Sequence, residues 1–392
     1  MSDPGPLVIC PYKGLEPYTE RDAAVFAGRG EDIARVISNL YASSLIILYG
    51  ESGVGKTSLL WAGVVPQLKK DVPELKKKKK RVAVVVFREW QSKDFQRRLR
   101  ETVLLALLET INARLLKPGS PPLDLERLKS ALNRTLAENS AEPNGNGLPV
   151  LADELSPLQD INDLPLDRFL ILCADAIQGR IFFIIDQFEE YFLYHPLSET
   201  DNDFDEQLAR AVNSPDVPVS FLISLREEGL SKLDRLLGRI PRLLSNMLRI
   251  EHLSQTGAHA AIEEPLTKTP EVEIDDNLIP ELFKQLDPDL VGFDESNRPK
   301  PLTSKGDESR VNGSFLQIVL TRLWGEEIAK GAKRLTLHKF QELGGANKIA
   351  GDYFDDVMGI QLRKAGSHET LRLPKTRFLR SGIARPISSS FL

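Results

Sequence analysis

Residues 50–57 read Gly-Glu-Ser-Gly-Val-Gly-Lys-Thr, which fits the pattern G-x-x-x-x-G-K-[ST]. The preceding stretch, 44–49, is Ser-Leu-Ile-Ile-Leu-Tyr, a short apolar run typical of a buried parallel strand. Residues 58–65 read as a helix, and Pro66 is predicted to end it. Strand, glycine-rich loop and helix in this order predict a phosphate-binding loop. Its backbone N–H groups would curl around phosphate oxygens at the positive end of the helix.

Each position of this loop has an expected role in holding a nucleotide. The amine of Lys56 would reach the β- and γ-phosphates, and the hydroxyl of Thr57 would coordinate Mg²⁺. The other loop residues expected to contact the nucleotide are Glu51, Ser52, Gly53, Val54, Gly55 and Ser58. The competing interpretation is a glycine-rich turn without a ligand, and the flanking strand and helix argue against it.

A second apolar strand, residues 181–185, ends at a carboxylate, Asp186. At the carboxyl end of a parallel strand beside the loop, this aspartate would hold Mg²⁺ through water. Many ATPases of this architecture carry a glutamate next, but this chain has Gln187, and an amide cannot accept a proton. We therefore expect slow hydrolysis. Either Glu189 or Glu190 could activate water, or both could simply open a helix, where negative charge is favourable.

The strand at residues 219–225 is followed by Arg226. A guanidinium group at this end of the sheet could contact the γ-phosphate and sense its presence. The alternative is an ion pair at the surface with Glu227 or Glu228.

The pattern of strands and helices predicts an α/β fold, a P-loop three-layer sandwich with a parallel sheet, followed by an all-α helical domain. The predicted regions, in chain order, are a base-binding lead-in of the nucleotide domain (1–45), its P-loop core (46–252) with a surface insertion at about 117–164, a helical domain (253–335), the start of a winged-helix-like region (336–364) and a partly ordered tail (365–392).

The composition, with 41% hydrophobic and 27% charged residues, is that of a soluble globular protein. A net charge of -5 argues against a dedicated nucleic-acid binder, although the basic run 76–81 could contact an acidic surface. Cys10 and Cys173 are too far apart in sequence for a metal-binding pattern. No stretch approaches the twenty apolar residues of a membrane span, and no signal peptide is recognisable, so we expect a cytoplasmic protein.

Taken together, the motifs resemble the STAND class of signal-transduction NTPases, specifically the bacterial "novel STAND" group. The likeness spans roughly residues 8–362, and the order of the motifs is as informative as any one of them. The stretches that carry it are Cys10-Pro11-Tyr12-Lys13-Gly14-Leu15, Phe26-Ala27-Gly28-Arg29, residues 49–60, Asp186-Gln187-Phe188-Glu189-Glu190, the strand ending in Arg226, Ala261-Ile262-Glu263-Glu264-Pro265, Leu316-Gln317 with Leu323-Trp324, and Gly344-Gly345-Ala346 with Tyr353-Phe354.

The resemblance implies a switch controlled by ATP and ADP. In such proteins an upstream Gly-Arg segment and a proline of the helical domain help to enclose adenine, which here would be Arg29 and Pro265. The domains close over ADP at rest, and exchange for ATP opens them and permits homo-oligomerisation. Gln187 would then be a family feature. Sensor or effector domains would lie outside this chain, which departs from the family after about residue 365, where the winged helix is not completed.

Three other functions stay open. A DNA-associated ATPase of the initiator or AAA type would contact the phosphate backbone through its winged region and basic run, and salt-sensitive DNA binding would favour it. A small-molecule kinase is disfavoured, since the helical half offers no evident substrate lid. A scaffold with an inactive site is the last, but intact Lys56, Thr57 and Asp186 argue for retained binding, though not for turnover.

Overall fold

The computed structural model describes residues 9–70, 81–115, 122–141, 160–196, 203–288 and 310–365. The lysines of the basic run (76–80), the tail beyond residue 365 and much of the predicted insertion lie outside these ranges. The chain divides into two units. We call the first, residues 31–52 and 59–250, the sheet unit, and the second, the described parts of 1–30, 53–58 and 251–392, the helical unit.

Five parallel strands form the sheet of the sheet unit, in the order β2-β3-β4-β1-β5. The strands are β1 (Leu45–Gly50), β2 (Arg81–Phe87), β3 (Gly179–Ile185), β4 (Val219–Arg226) and β5 (Met247–Arg249). Nearly every residue of β1, β3 and β4 is buried, which requires both faces of the sheet to be covered. This arrangement confirms the α/β prediction.

Helices alternate with these strands, as parallel crossovers require. In chain order they are α1 (Gly30–Ala42), α2 (Lys56–Ser58), α3 (Val65–Lys70), α4 (Phe95–Leu115), α5 (Leu125–Ala141), α6 (Leu166–Ile177), α7 (Phe188–Tyr194), α8 (Phe204–Asn213) and α9 (Asp234–Leu237). Short 3₁₀ turns lie at Glu20–Asp22 and Glu227–Leu233.

Pro66 does not end the helix after the phosphate loop, contrary to the sequence prediction. A π-helical turn, Leu59–Val64, joins α2 to α3, and α3 continues to Lys70. A proline ring clashes with the carbonyl four residues earlier in a regular α-helix. The wider π turn lies at that point, so the chain can remain helical through the proline.

One aromatic cluster fills the sheet unit beside the end of β3. We use this name for Phe87, Trp90, Phe95, Phe188, Tyr191 and Phe204. Trp90 lies at its centre with no exposed surface, and its ring centroid is 4.8–6.1 Å from those of the other five. Such tilted and edge-on contacts are the preferred geometries of aromatic pairs. The cluster therefore anchors the chain on either side of the strand end.

The helical unit has its own core and contains two short two-stranded ladders besides its helices. Its strands are β6 (Leu253–Ser254), β7 (Glu273–Ile274), β8 (Arg310–Val311) and β9 (Arg334–Leu335). Its helices are α10 (Gln255–Leu266), α11 (Leu278–Gln285), α12 (Gly313–Glu326), α13 (Leu337–Glu342) and α14 (Gly345–Ala365), with a 3₁₀ turn at Ile328–Lys330. None of the described helices is both long and apolar enough to cross a bilayer.

The helix boundaries of this unit follow from local chemistry at most positions. The hydroxyls of Ser254 and Thr336 accept backbone N–H groups at the starts of α10 and α13, as predicted. Gly344 and Gly345 both have positive φ, and this interrupts the helical conformation between α13 and α14. Pro265 lies inside the last turn of α10, which ends at Leu266, so the stop that a proline predicts after Glu264 is two residues too early.

The lead-in up to residue 30 belongs with the helical unit, whereas the sequence assigned residues 1–45 to the nucleotide domain. Tyr12 explains the difference, because it is buried in the helical unit's core and donates its hydroxyl proton to the Ile262 carbonyl at 2.7 Å. Tyr18 likewise donates to the Gln317 side chain at 2.6 Å. These long-range contacts are invisible in a local sequence pattern.

Candidate nucleotide-binding site

The phosphate loop has the backbone conformation that its glycines permit. It leaves β1 at Gly50, and Gly53 and Gly55 have φ angles of 81° and 94°, in the left-handed region that residues with a Cβ rarely adopt. Helix α2 begins directly at Lys56. Successive N–H groups in such a loop can converge on an anion, and the helix start adds positive potential.

Side chains from the rest of the helical unit hold the carbonyls of this loop. Arg29 is buried, and its two terminal nitrogens donate to the carbonyls of Val54 and Glu251, each at 2.8 Å. The hydroxyl of Ser314, in the first turn of α12, donates to the Gly53 carbonyl. A loop whose carbonyls are bound on one side presents its N–H groups more rigidly on the other.

The glycine before Arg29 is required by close packing. Gly28 has a φ of 82°, and a Cβ at this position would lie 2.1 Å from the carbonyl oxygen of Gly257 in α10. Only glycine fits such an approach. The Gly-Arg pair therefore docks on α10 through its first residue and holds the phosphate loop through its second.

The predicted contacts of Arg29 and Pro265 with adenine stay predictions. In the structure the guanidinium of Arg29 contacts backbone carbonyls of the loop and of Glu251, and Pro265 is buried in the last turn of α10. Ser58, also predicted to bind nucleotide, accepts a hydrogen bond from the backbone N–H of Tyr18 at 3.1 Å.

Asp186 lies directly after β3, where its backbone is fixed on two sides. Its N–H donates to the Phe87 carbonyl at 2.8 Å, and its carbonyl accepts the indole N–H of Trp90 at 2.9 Å. Only 1% of its surface is exposed. The aromatic cluster thus fixes the backbone position from which the Asp186 side chain extends.

Arg226, at the end of β4, pairs with Glu189 rather than with either neighbour that the sequence suggested. Its Nε lies 3.0 Å from Glu189 Oε1, and its backbone N–H donates to Glu189 Oε2 at 3.2 Å. Glu227 instead pairs with Arg249 at 3.1 Å. Both carboxylate oxygens of Glu189 are therefore engaged by one residue. Arg226 lies opposite Gly50, the first residue of the phosphate-loop motif, in the β1–β4 register.

The Glu190 carboxyl is partly buried next to Glu189. Partial burial, reinforced by the negative charge of Glu189, raises the pKa of the Glu190 carboxyl, and the nearby guanidinium groups of Arg226 and Arg88 offset this only in part. A raised pKa makes a carboxylate a better proton acceptor. Gln187, which precedes α7 in a left-handed conformation with φ 54°, turns the chain between Asp186 and these glutamates.

The chemistry of the donors suits magnesium. The hydroxyl of Thr57 and the carboxylate of Asp186 are hard oxygen ligands, and Asp186 is buried, where a carboxylate benefits from a counter-charge. Among the described residues, no three or more His, Cys, Asp or Glu side chains are grouped to hold a metal. Mg²⁺ in nucleotide sites is held by one or two protein oxygens, with phosphates and water completing the shell.

Sequence reasoning missed two residues that shape these positions. Ser314 was recognised only as part of an apolar helix, and Trp90 was given no role. Neither contact has a sequence signal, since Ser314 is 261 residues from Gly53 and Trp90 is 96 residues from Asp186.

A parallel sheet whose first strand runs into a glycine loop and a helix, with a buried aspartate after a strand two positions away, defines a P-loop NTPase. The chain belongs to the novel STAND NTPase 1 family, whose model matches residues 11–367. This confirms the resemblance seen in the sequence.

Among solved structures the chain is similar to the Walker-type ATPase PABY2304 of Pyrococcus abyssi, with 14% identity, a TM-score of 0.43 and coverage of 90% of this chain and 78% of that one. It is also similar to the ORC2 protein of Aeropyrum pernix in its ADPNP–ADP complexes (15%, 0.40, 79% and 64%) and to Cdc6p from Pyrobaculum aerophilum (13%, 0.36, 78% and 64%). No curated protein matches the chain.

Proposed function

We propose that this P-loop NTPase is an ATP/ADP-dependent signal-transduction switch with slow ATP hydrolysis. Exchange of ADP for ATP would shift the chain from a closed to an open state and permit homo-oligomerisation, with sensor or effector domains supplied from outside this chain. The proposal assigns a regulatory role to the nucleotide binding that the family's P-loop fold supports.

The observation that carries the proposal is the attachment of the phosphate loop to the helical region. Ser314 of α12 donates to the Gly53 carbonyl, and Arg29 of the lead-in donates to the Val54 carbonyl. A ligand can shift a conformational equilibrium only through contacts that differ between the states. A nucleotide that rearranges Gly53 and Val54 would act directly on the two side chains that hold them.

In this proposal the loop residues Glu51 to Ser58 bind the phosphates, with Lys56 on the β- and γ-phosphates, and Thr57 and Asp186 hold Mg²⁺. Bound Mg²⁺ would supply charge neutralisation at the transferred phosphate. Arg226 would sense the γ-phosphate, and Glu189 would position Arg226 through the contacts to its Nε and backbone N–H.

Glu190 is the better candidate for activating water. Glu189 is committed to Arg226 through both oxygens, whereas burial raises the pKa of Glu190 toward that of an effective base. Glu190 lies four residues after Asp186, and the position directly after Asp186, where many ATPases of this architecture have a glutamate, is Gln187.

The test is the nucleotide content of the purified chain, measured by denaturing it and separating what is released. We expect about one ADP per chain, lost in Lys56→Ala because the phosphate contacts of the loop are removed. The matched control is Lys232→Ala, at an exposed lysine of the 3₁₀ turn after β4, which should retain ADP.

The outcomes separate the candidate functions. An empty site that turns over ATP quickly would replace the switch with a conventional ATPase. A chain that binds neither ADP nor ATP would favour the scaffold with an inactive site.

A further inference from the structure

A half-open cavity of about 500 Å³ lies at the surface of the sheet unit, and none of the predicted nucleotide-binding residues lines it. Its walls come from the start of α4, the segment 162–165 before α6, and α8 with the residue before it. The residues that matter are Gln96, Arg97, Arg100, Asp203, Gln207 and Arg210. A volume of this size is typical of sites for small molecules.

Arg100 is a buried cation that forms no ion pair within 4 Å in the part of the chain that the structure describes. Its residue surface is 7% exposed, one terminal nitrogen (Nη2) donates to the Leu164 carbonyl at 2.7 Å, and the guanidinium lies 5.0 Å from the ring centre of Phe169. The other terminal nitrogen (Nη1) is buried without a hydrogen-bond partner among the described residues. Burial lowers the pKa of this guanidinium, as expected for a charge removed from water. Such a charge is costly unless something pairs with it.

Asp203, an acidic side chain of the lining, accepts hydrogen bonds from amides. Asp203 accepts the side-chain N–H groups of Gln207 at 2.6 Å and of Gln96 at 3.3 Å. Gln207 offers its oxygen to Arg100 Nη2 at only 3.4 Å, and the same oxygen accepts the Leu166 N–H at 3.1 Å. The contact between Arg100 and Gln207 is thus the weak one, and a ligand oxygen can replace it.

The rim of the cavity reinforces this charge. Arg97 and Arg210 are exposed and line the cavity together with Arg100, against two aspartates, Asp163 and Asp203. Three arginines against two aspartates give the lining a formal charge of +1, and Arg210 also lies 3.5 Å from Glu206 at the exposed surface. Guanidinium groups bind carboxylate and phosphate oxygens through paired N–H donors.

We propose that this cavity binds a small oxyanion-bearing molecule, a carboxylate or a phosphate compound, with its anionic group on Arg100 and with Arg97 and Arg210 at the entrance. The site is separate from the phosphate loop. Its occupancy does not depend on the nucleotide switch.

The test is isothermal titration calorimetry with citrate and with pyrophosphate, at ionic strength held constant with chloride. The protein carries Lys56→Ala in every sample, so that pyrophosphate cannot report the phosphate loop. We expect one probe to bind, about tenfold more weakly after Arg100→Gln and several-fold more weakly after Arg97→Gln, because each change removes a charge-assisted contact. Citrate binding would identify a carboxylate ligand, and pyrophosphate binding a phosphate ligand.

The matched control is Arg98→Gln, at the neighbouring arginine of α4, which pairs with Glu89 at 2.9 Å and does not line the cavity. It should leave binding unchanged. If Arg100→Gln does not fold, the exposed pair Arg97→Gln and Arg210→Gln carries the same test. Failure of both probes to bind above the chloride background, or equal binding to all variants, would overturn the proposal.

Discussion

The end of β3 and the phosphate loop both carry residues of the proposed nucleotide-binding site, yet they are fixed in opposite ways. The backbone at Asp186 is anchored by a cluster of six buried aromatic side chains that contact one another many times over. The carbonyls of Gly53 and Val54 are held by one hydroxyl and one guanidinium. At Asp186 the free energy that stabilises the backbone is distributed over many contacts. The attachment of the phosphate loop depends on single residues, and this is where a bound ligand can compete.

The largest effect should follow Trp90→Ala. The substitution leaves a cavity at the centre of the aromatic cluster and removes the donor to the Asp186 carbonyl, and it should cost about 3–5 kcal/mol of unfolding free energy. Trp90→Phe keeps one ring but loses the donor and part of the packed volume, so a smaller cost of about 1–3 kcal/mol is expected. Urea titration followed by hydrogen exchange in residues 179–185 measures both. Equal losses in the two variants would mean that the hydrogen bond, not packing, fixes the strand end.

In α7, which follows the carboxyl end of β3, the two adjacent glutamates should differ. Glu190→Gln is expected to lower kcat for ATP hydrolysis about 100-fold with ATP affinity retained, because it removes the proposed base. Glu189→Gln should act mainly on the discrimination between ATP and ADP, by releasing Arg226. Steady-state kinetics and nucleotide titration separate the effects. A greater loss of kcat in Glu189→Gln would reverse the assignment.

The raised pKa of Glu190 gives this prediction a pH dependence. The base must be ionised, so kcat should fall as the pH drops through that pKa. The acid limb should therefore lie above the ordinary titration range of glutamate, and it should disappear in Glu190→Gln.

In the helical unit, Gly28→Ala should destabilise the region around α10 by at least about 2 kcal/mol. The new methyl group would combine a left-handed backbone with a 2.1 Å approach to the Gly257 carbonyl. Gly325→Ala, in α12, is the matched control, because its Cβ would meet nothing within 4 Å. That change should be neutral or stabilise by up to about 1 kcal/mol. Hydrogen exchange of residues 255–266 distinguishes the two, and equal protection would show that the contact at Gly28 relaxes freely.

The smallest effect is expected for Ser314→Ala, which removes one hydrogen bond to the loop. Such a bond contributes about 1 kcal/mol, so ADP should dissociate roughly fivefold faster. Ser245→Ala, which removes an exposed hydroxyl that donates to the Arg242 carbonyl, should not change the rate. Stopped-flow measurement with a fluorescent ADP analogue would show the difference. Unchanged release would mean that the loop does not use this contact to hold nucleotide.

Runs of apolar residues in the sequence made the strands of the sheet predictable. The apolar runs that precede Gly50, Asp186 and Arg226 are buried strands, and their boundaries shift by only one or two residues. The caps at Ser254 and Thr336 were also predictable, since each side chain bonds to a backbone group three residues away. These features depend on chemistry that is local in sequence.

What the sequence did not reveal depends on partners that are distant in the chain. The ion pair offered as the alternative role of Arg226 was with Glu227 or Glu228, next to it in sequence, but Glu189, 37 residues earlier, binds it. Helix ends at Pro66 and Pro265 were predicted from the residue type, yet both helices continue past the proline. Tertiary packing outweighs local preference at these positions.

The division of the chain has a consequence for heredity and for engineering. Residues up to Ser52 of the phosphate-loop motif belong to the sheet unit, while Gly53 to Ser58 belong to the helical unit, and the chain then returns to the first. Neither unit is a continuous stretch of the gene. A recombination event or a truncation between Ser52 and Gly53 would cut the motif, so we expect the two units to be inherited, and to be transplanted into chimaeras, only as a pair.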